Sequence, residues 1–259
     1  MPSQQIHRPL QDLKVLVTRP VQRAAGLCRL IEQAGGIALP FAAIEITAPA
    51  DTQRREYARD HLAEFSLAIF ISPTAVEKTF EFFEELPVNI RITAIGSRTA
   101  SALESRGLNI DIKPDGHDSE SLLEHPELQA ECIAGKSILI FKGEGGRELL
   151  GETLQSRGAE VVYADMYRRA LPSSTEKLDQ YLTEADVITV SSNEGLQNLF
   201  ELASEKTQLV RHCLIVPGKR AYTLAKKLGF SKILTAENAT DEAFLNALTV
   251  TITKMRKNP

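Results

Sequence analysis

Hydroxyl and cationic residues follow most of the short apolar runs in this sequence. They are Thr18, Arg19, Ser72, Thr99, Lys142, Ser191, Ser192, Lys219 and Arg220. Such side chains donate charge-assisted hydrogen bonds to carboxylates. These positions show no paired carboxylates and no catalytic histidine near a serine or cysteine, which acid–base or nucleophilic catalysis would use, and the five histidines are scattered along the chain. The residue types therefore predict a binding site for a large polycarboxylate, although serines at such positions also cap helices, as we expect for Ser72 and Ser191.

The apolar runs themselves alternate with amphipathic segments. The six pairs are "LKVLVTR" with "AAGLCRLIEQAGG", "LAIFIS" with "PTAVEKTFEFFEEL", "ITAIG" with "SRTASALESRGL", "SILIFK" with "GRELLGETLQSRG", "DVITVSS" with "NEGLQNLFELA", and "CLIVPG" with "KRAYTLAKKLG". This alternation predicts an α/β fold with parallel strands covered by helices. Because ligands of such sheets bind beyond the carboxyl ends of the strands, we expect the polar residues to gather there.

The chain also contains an internal repeat. The segment that begins at Val15 recurs 123 positions later, where Leu27 aligns with Leu150 and Gly35 with Gly158. "IFISPTAVEKTF" aligns with "ITVSSNEGLQNLF" at an offset of 119, and "IGSRTASALESRGL" aligns with "PGKRAYTLAKKLGF" at 122. The repeat predicts two homologous halves of about 120 residues, an ordinary domain size. Two facing rims of strand ends would then form a polar cleft.

The glycine-rich stretch "FKGEGGREL" at 141–149 lies where doubly wound proteins hold phosphates. Its spacing fits no nucleotide loop, since Glu148 stands where the dinucleotide pattern needs its third glycine. "PGKRA" also fails, because Cys213 stands where a P-loop needs its first glycine. We therefore expect a strand-to-helix turn whose Gly145 and Gly146 offer backbone donors at a helix N-terminus.

Composition limits the partners. A formal charge of −4 argues against nucleic acid and anionic membranes as partners. Cys28, Cys132 and Cys213 are too scattered to indicate a disulfide framework or a zinc site. Because the sequence shows no apolar signal core and no bilayer-spanning run, we expect a cytoplasmic protein. We also expect a monomer that uses no metal or other cofactor.

An ordered set of motifs resembles the uroporphyrinogen-III synthase family over nearly the whole chain. The motifs are "LVTRP", "IFISPTAVE", "AIGSRTASAL", "KGEGGRELLGETLQSRGAEV", "MYRRALP", "TVSSNEGL" and "ATDEAFLNAL". The resemblance implies two similar flavodoxin-like domains joined by a two-stranded antiparallel linker, formed by "AAIEITAP" and "DMYRRALP". It places residues 1–40 with 166–259 in one domain and 41–165 in the other, whereas the repeat alone equally allows two tandem domains.

The same resemblance implies an enzyme, a cyclising hydro-lyase. Its reaction closes the linear tetrapyrrole hydroxymethylbilane to uroporphyrinogen III, with loss of water and inversion of the terminal ring. Tyr167 matches a family tyrosine to which we assign acid assistance; packing at the domain boundary is the equally supported alternative. Arg19 and Lys142 are candidates for pairing with substrate carboxylates.

Other positions depart from the family pattern. The family threonine is replaced by Ile71 and Val190 before the two serines, and by Ala221 where Thr99 has its counterpart. The substrate contacts expected from that threonine would then come from Lys219, Arg220 and backbone N–H groups. The rival functions are a non-catalytic two-lobed binding protein for a polyanionic small molecule, which would usually be exported, and a nucleotide-dependent regulator, which the loop spacing disfavours.

Overall fold

The computed structural model describes residues 8–114, 116, 118–146 and 148–257. Their strands are β1 (Lys14–Val17), β2 (Ile37–Pro40), β3 (Glu45–Thr47), β4 (Leu67–Phe70), β5 (Arg91–Ala94), β6 (Ser137–Gly143), β7 (Glu160–Ala170), β8 (Val187–Thr189), β9 (Cys213–Pro217) and β10 (Lys232–Ala236).

The α-helices of the same residues mostly lie between consecutive strands. They are α1 (Val21–Gln33), α2 (Gln53–Asp60), α3 (Pro73–Phe82), α4 (Ser97–Glu104), α5 (Ser119–Leu123), α6 (Ala130–Ile133), α7 (Leu149–Ser156), α8 (Glu176–Glu184), α9 (Asn193–Leu202), α10 (Lys206–Leu209), α11 (Gly218–Lys227) and α12 (Asp241–Lys257). The six strand–helix pairs expected from the sequence are therefore confirmed.

The first sheet has the strand order β10-β9-β8-β1-β2, and its neighbouring strands are parallel. Numbered along the chain, these strands follow the flavodoxin-like order 2-1-3-4-5. The strand–helix–strand segment at 14–40 thus shares a sheet with strands that lie more than 140 residues later.

The second sheet has the order β3-β7-β6-β4-β5, with parallel pairing from β7 to β5. An isolated parallel bridge joins Thr93 of β5 to Ile112, at the position that β10 occupies in the first sheet. Here β6 and β7, the counterparts of β1 and β2, follow the other strands along the chain. The prediction of two similar parallel α/β structures is confirmed, and the second is a permuted copy of the first.

Strand register corrects one part of the predicted repeat. Val15 pairs with Val187, and its counterpart Ile138 pairs with Leu67. Val187 is therefore the counterpart of Leu67, which makes the offset 120 and the predicted 119 wrong. A shift of one residue turns a strand side chain to the opposite face, so the corrected offset aligns Ser72 with Ser192 instead of Ser191.

The chain divides into two compact units, the first comprising Met1–Glu45 with Ala170–Pro259 and the second comprising Ile46–Arg169. In each unit the sheet is buried on both faces. Leu16 belongs to one apolar cluster while Val15 and Val17 belong to another, and Phe141 and Ile140 divide in the same way. This two-sided burial explains why the strands are apolar without alternation.

Cys28, Cys132 and Cys213 are free thiols. None of the helices in the described ranges combines the length and the apolar composition of a bilayer-spanning segment.

Candidate active site

In the second unit, the carboxyl ends of the strands bring Ser72 and Tyr167 together. Their hydroxyl oxygens lie 3.2 Å apart, within hydrogen-bond distance. Ser72 Oγ also accepts the backbone N–H of Ala75 at 3.1 Å, so it caps α3 as the sequence predicted. The serine therefore serves two partners: the first turn of a helix and the phenol of a neighbouring strand.

Tyr167 is held in place by an irregularity in the strand pairing. The register between β6 and β7 shifts after Lys142, so that Gly143 lies opposite Tyr167. A Cβ atom at residue 143 would lie 2.7 Å from Tyr167 Cζ and 3.0 Å from its hydroxyl oxygen. Any side chain at residue 143 would therefore force the ring of Tyr167, a residue that is 4% exposed, to move. Sequence reasoning missed this role because Gly143 precedes the two glycines that drew attention.

Directly before that irregularity, Lys142 of β6 lies opposite Asp165 of β7. Lys142 is 7% exposed, and its ammonium lies 4.7 Å from the centre of the Tyr163 ring, a cation–π distance. Burial raises the pKa of Asp165, and the positive charge of Lys142 opposes that rise. Asp165 begins the predicted linker segment "DMYRRALP", but nothing in the sequence indicated a role for it there, and Tyr163 belonged to no quoted motif.

The glycine loop differs from its prediction. Helix α7 begins at Leu149 with Glu148 as its N-cap, so Gly145 and Gly146 do not lie at a helix N-terminus and that prediction was wrong. The corresponding helix α1 has 13 residues and α7 has 8, because the loop replaces the first turn. The φ angles of +75° and +89° at Gly145 and Gly146 explain the loss, since helical residues have negative φ.

Hydrogen bonds hold the loop at both ends. The backbone N–H of Glu144 donates to the carbonyl of Tyr167 at 2.7 Å, and the Glu144 carboxylate accepts the N–H of Ala50 at 2.7 Å. At the other end, the hydroxyl of Tyr163 donates to the carbonyl of Glu148 at 3.1 Å. The loop therefore connects the surroundings of Tyr167 to those of Lys142.

In the first unit, Arg19 is the counterpart of Lys142 at the repeat offset of 123. The guanidinium is 7% exposed and forms an ion pair with Asp241, the first residue of α12. It also donates to the carbonyl of Ala239 at 2.9 Å and lies 4.9 Å from the centre of the Phe244 ring. The charge of Arg19 is thus neutralised inside its own unit. Its predicted contact with substrate stays a prediction.

The remaining predicted residues of the first unit lie at strand ends and helix starts. Ser192 caps α9 by accepting the N–H of Gly195 at 3.0 Å. The prediction that Ser191 is the cap was wrong by one residue, as the corrected register requires. Lys219 and Arg220 are exposed in the first turn of α11, and Ser191 is half-buried.

Thr99 lies in the first turn of α4 and is only 2% exposed. Its counterpart Ala221, also 2% exposed, packs in the apolar core of the first unit. The position faces inward in both units, which explains why alanine is compatible with the fold at 221. Contact of Thr99 with substrate stays a prediction.

Within the described ranges, no group of three or more His, Cys, Asp or Glu side chains is arranged to hold a metal ion.

Comparison with known proteins decides the family. The family model for uroporphyrinogen-III synthase HemD matches residues 26–246. The chain belongs to the uroporphyrinogen-III synthase family. A uroporphyrinogen-III synthase of Salmonella typhimurium (strain LT2) is 35% identical over 247 residues, which cover 91% of this chain and 100% of that protein. The uroporphyrinogen-III synthase of Escherichia coli (strain K12) is 34% identical with the same coverage.

Solved structures of uroporphyrinogen-III synthases share the fold. The protein from Helicobacter pylori 26695 has a TM-score of 0.60 at 15% identity, with 93% of this chain and 99% of that chain covered. A mutant protein from the extremely thermophilic bacterium Thermus thermophilus has a TM-score of 0.58 at 19% identity, with the same coverage. At these identities the similarity concerns the fold alone.

The contact between Gly143 and Tyr167 makes a testable prediction. We expect Gly143→Ala to lower the free energy of unfolding by about 1–3 kcal/mol, because the new methyl group overlaps the ring. Chemical denaturation of the wild type, Gly143→Ala, Tyr167→Ala and the double variant measures the coupling. In the Tyr167→Ala background the glycine substitution should cost little; an equal cost in both backgrounds would contradict the contact.

Proposed function

We propose that this chain cyclises hydroxymethylbilane to uroporphyrinogen III, with loss of water and inversion of the terminal ring. Family membership carries this conclusion, because the family model spans residues 26–246 and a relative of that name aligns over its full length. The comparisons give no support to a non-catalytic binding protein. The reaction is proposed for a cytoplasmic, monomeric chain, as expected from the sequence.

The chemistry requires positioning above all. Hydroxymethylbilane loses hydroxide to give an azafulvene cation, and unassisted closure gives the uninverted isomer. The enzyme must therefore direct attack to the substituted carbon of the last ring, which orientation and preorganised donors can achieve. Eight carboxylates on the substrate give cationic side chains many points of attachment.

Lys142 is the best-supported anchor for one of these carboxylates. The Lys142 residue is 7% exposed, and its ammonium makes no hydrogen bond to any other described residue. A substrate carboxylate would supply the charged acceptor that the ammonium lacks among the described residues. Arg19 takes a smaller part in this proposal, because Asp241 already neutralises it. The further proposed contacts are Ser72, Thr99, Gly145, Ser191, Ser192, Lys219 and Arg220.

Tyr167 is the proposed acid that assists departure of the hydroxyl group. Ser72 Oγ accepts the N–H of Ala75 and is within hydrogen-bond distance of the phenol. If the serine donates its proton to the Tyr167 oxygen, the phenolic proton is free to be given to a leaving group. The two hydroxyls thus form a short chain that begins at the backbone of α3.

The proposed domains are 1–40 with 166–259 and 41–165. Their support is that β1 and β2 share a sheet with β8, β9 and β10, and that the compact units change at 45/46 and 169/170. The predicted linker segments at 42–49 and 165–172 contain β3 and the end of β7, which are neighbouring strands.

An isomer assay tests the function. We expect purified protein incubated with freshly generated hydroxymethylbilane to give, after oxidation, mainly porphyrin isomer III on chromatographic separation. Buffer alone should give isomer I. A product mixture indistinguishable from that of buffer would refute the proposed activity.

Replacement of Tyr167 by phenylalanine tests the acid role. We expect Tyr167→Phe to lower kcat by about 100-fold, the usual size of a general acid contribution, while KM and the unfolding midpoint change little. Phe retains the ring that packs against Gly143, so only the hydroxyl is lost. Tyr57→Phe is the matched control, because it removes the hydroxyl of an exposed tyrosine of the same unit that has no part in the proposed site. Full turnover by Tyr167→Phe would assign the acid to another group.

A further inference from the structure

The buried cations of the two units differ in how they are neutralised. Arg19 has an ion pair, a carbonyl acceptor and an aromatic ring, all from its own unit. Lys142 has the ring of Tyr163 and, across the strand pair, Asp165. No hydrogen bond or ion pair joins Lys142 to Asp165 among the described contacts. Lys142 thus lacks the ion pair and the hydrogen-bond acceptor that Arg19 has within its own unit.

Asp165 is the other incomplete member of this pair. Its Oδ1 atom is buried and has no hydrogen-bond partner in the described structure. Buried polar atoms in folded proteins are nearly always paired, and an unpaired carboxylate oxygen is costly. Burial raises the pKa of Asp165 for the same reason. The ligand that would complete the site must bring an acceptor to Lys142 and a donor to Asp165.

A pyrrole with acidic side arms carries both groups on one ring. Its carboxylate is an acceptor for the ammonium, and its ring N–H is a donor for Asp165. Carboxylates alone would be repelled by Asp165 and by Glu144 and Glu148, which lie close enough to influence its pKa, whereas Arg54 and Lys142 act in the opposite sense. This mixture of charges favours a ligand that presents N–H donors on one side and carboxylates on the other.

We propose that Asp165 is a specificity-determining residue that accepts a pyrrole N–H of the substrate while Lys142 binds a carboxylate arm of the same ring. This proposal rests on the substrate class of the proposed function. Tyr163 supports the pair through its ring contact with the ammonium and is itself fixed by its hydrogen bond to Glu148. Two contacts to one ring would fix its orientation, whereas Lys142 alone would only attract its carboxylate.

Binding of a dipyrromethane with acetate and propionate arms tests this assignment without turnover. Isothermal titration of the wild type compares this fragment with its N-methylated analogue, which keeps the carboxylates and lacks the donors. We expect N-methylation to weaken binding to the wild type about tenfold or more, the size of one hydrogen bond to a charged acceptor. In Asp165→Leu the two fragments should bind with similar affinity.

Control variants separate this role from folding. Asp165→Asn keeps the shape and one acceptor oxygen, so it should show an intermediate discrimination even if Asp165→Leu does not fold. Asp60→Asn, an exposed change in the same unit, should retain the wild-type discrimination. Equal loss on N-methylation in the wild type and the Asp165 variants, or no binding of either fragment to the wild type, would overturn the proposal. The isomer assay tests the proposed function separately.

Discussion

A charge buried in a protein needs a partner, and both units of this chain bury a cation at the end of the first strand of the repeated order. Arg19 and Lys142 are each 7% exposed and occupy equivalent positions. In the first unit Asp241 supplies the counter-charge, and Gly26 of α1 leaves the space that its carboxylate occupies. In the second unit the residue at the repeat offset of 122 is Ser119, which begins α5 as Asp241 begins α12 and has no charge. Lys142 is therefore available to bind an anion, whereas Arg19 is already paired with Asp241.

The duplicated halves differ around these cations. Gly35 and Gly158 end the equivalent helices with φ angles of +90° and +88°, and the N-caps at Ser72 and Ser192 are the same. By contrast, the first turn of α1 is replaced in the second unit by the loop of Gly145 and Gly146. The sheet and the helix ends are thus repeated, whereas the start of the helix after the first strand differs between the units. Of the substrate contacts that we propose, Lys142 and Tyr167 lie beside this loop of the second unit.

The sequence was sufficient for the fold because its evidence is periodic and repeated. Apolar runs, helix stops and the repeat predicted the six strand–helix pairs and two parallel sheets. Predictions for single residues were wrong where local backbone geometry determines the structure. The offset of 119 placed the helix cap on Ser191 instead of Ser192, and nothing in "GEGGRE" indicated that α7 begins only at Leu149. Gly143 and Asp165 were missed because their roles depend on the register shift between β6 and β7. Such a contact across strands leaves no local pattern in the chain.

The most direct test of this account compares the KM for hydroxymethylbilane in Lys142→Met and Arg19→Met. We expect Lys142→Met to raise KM about tenfold or more and to leave the protein folded, since the lost interaction is one charged contact with substrate. Arg19→Met should leave KM close to the wild-type value and lower the free energy of unfolding by about 1–3 kcal/mol, because Asp241 loses its partner. A KM that rises for Arg19→Met and stays unchanged for Lys142→Met would contradict the division of roles between the two cations.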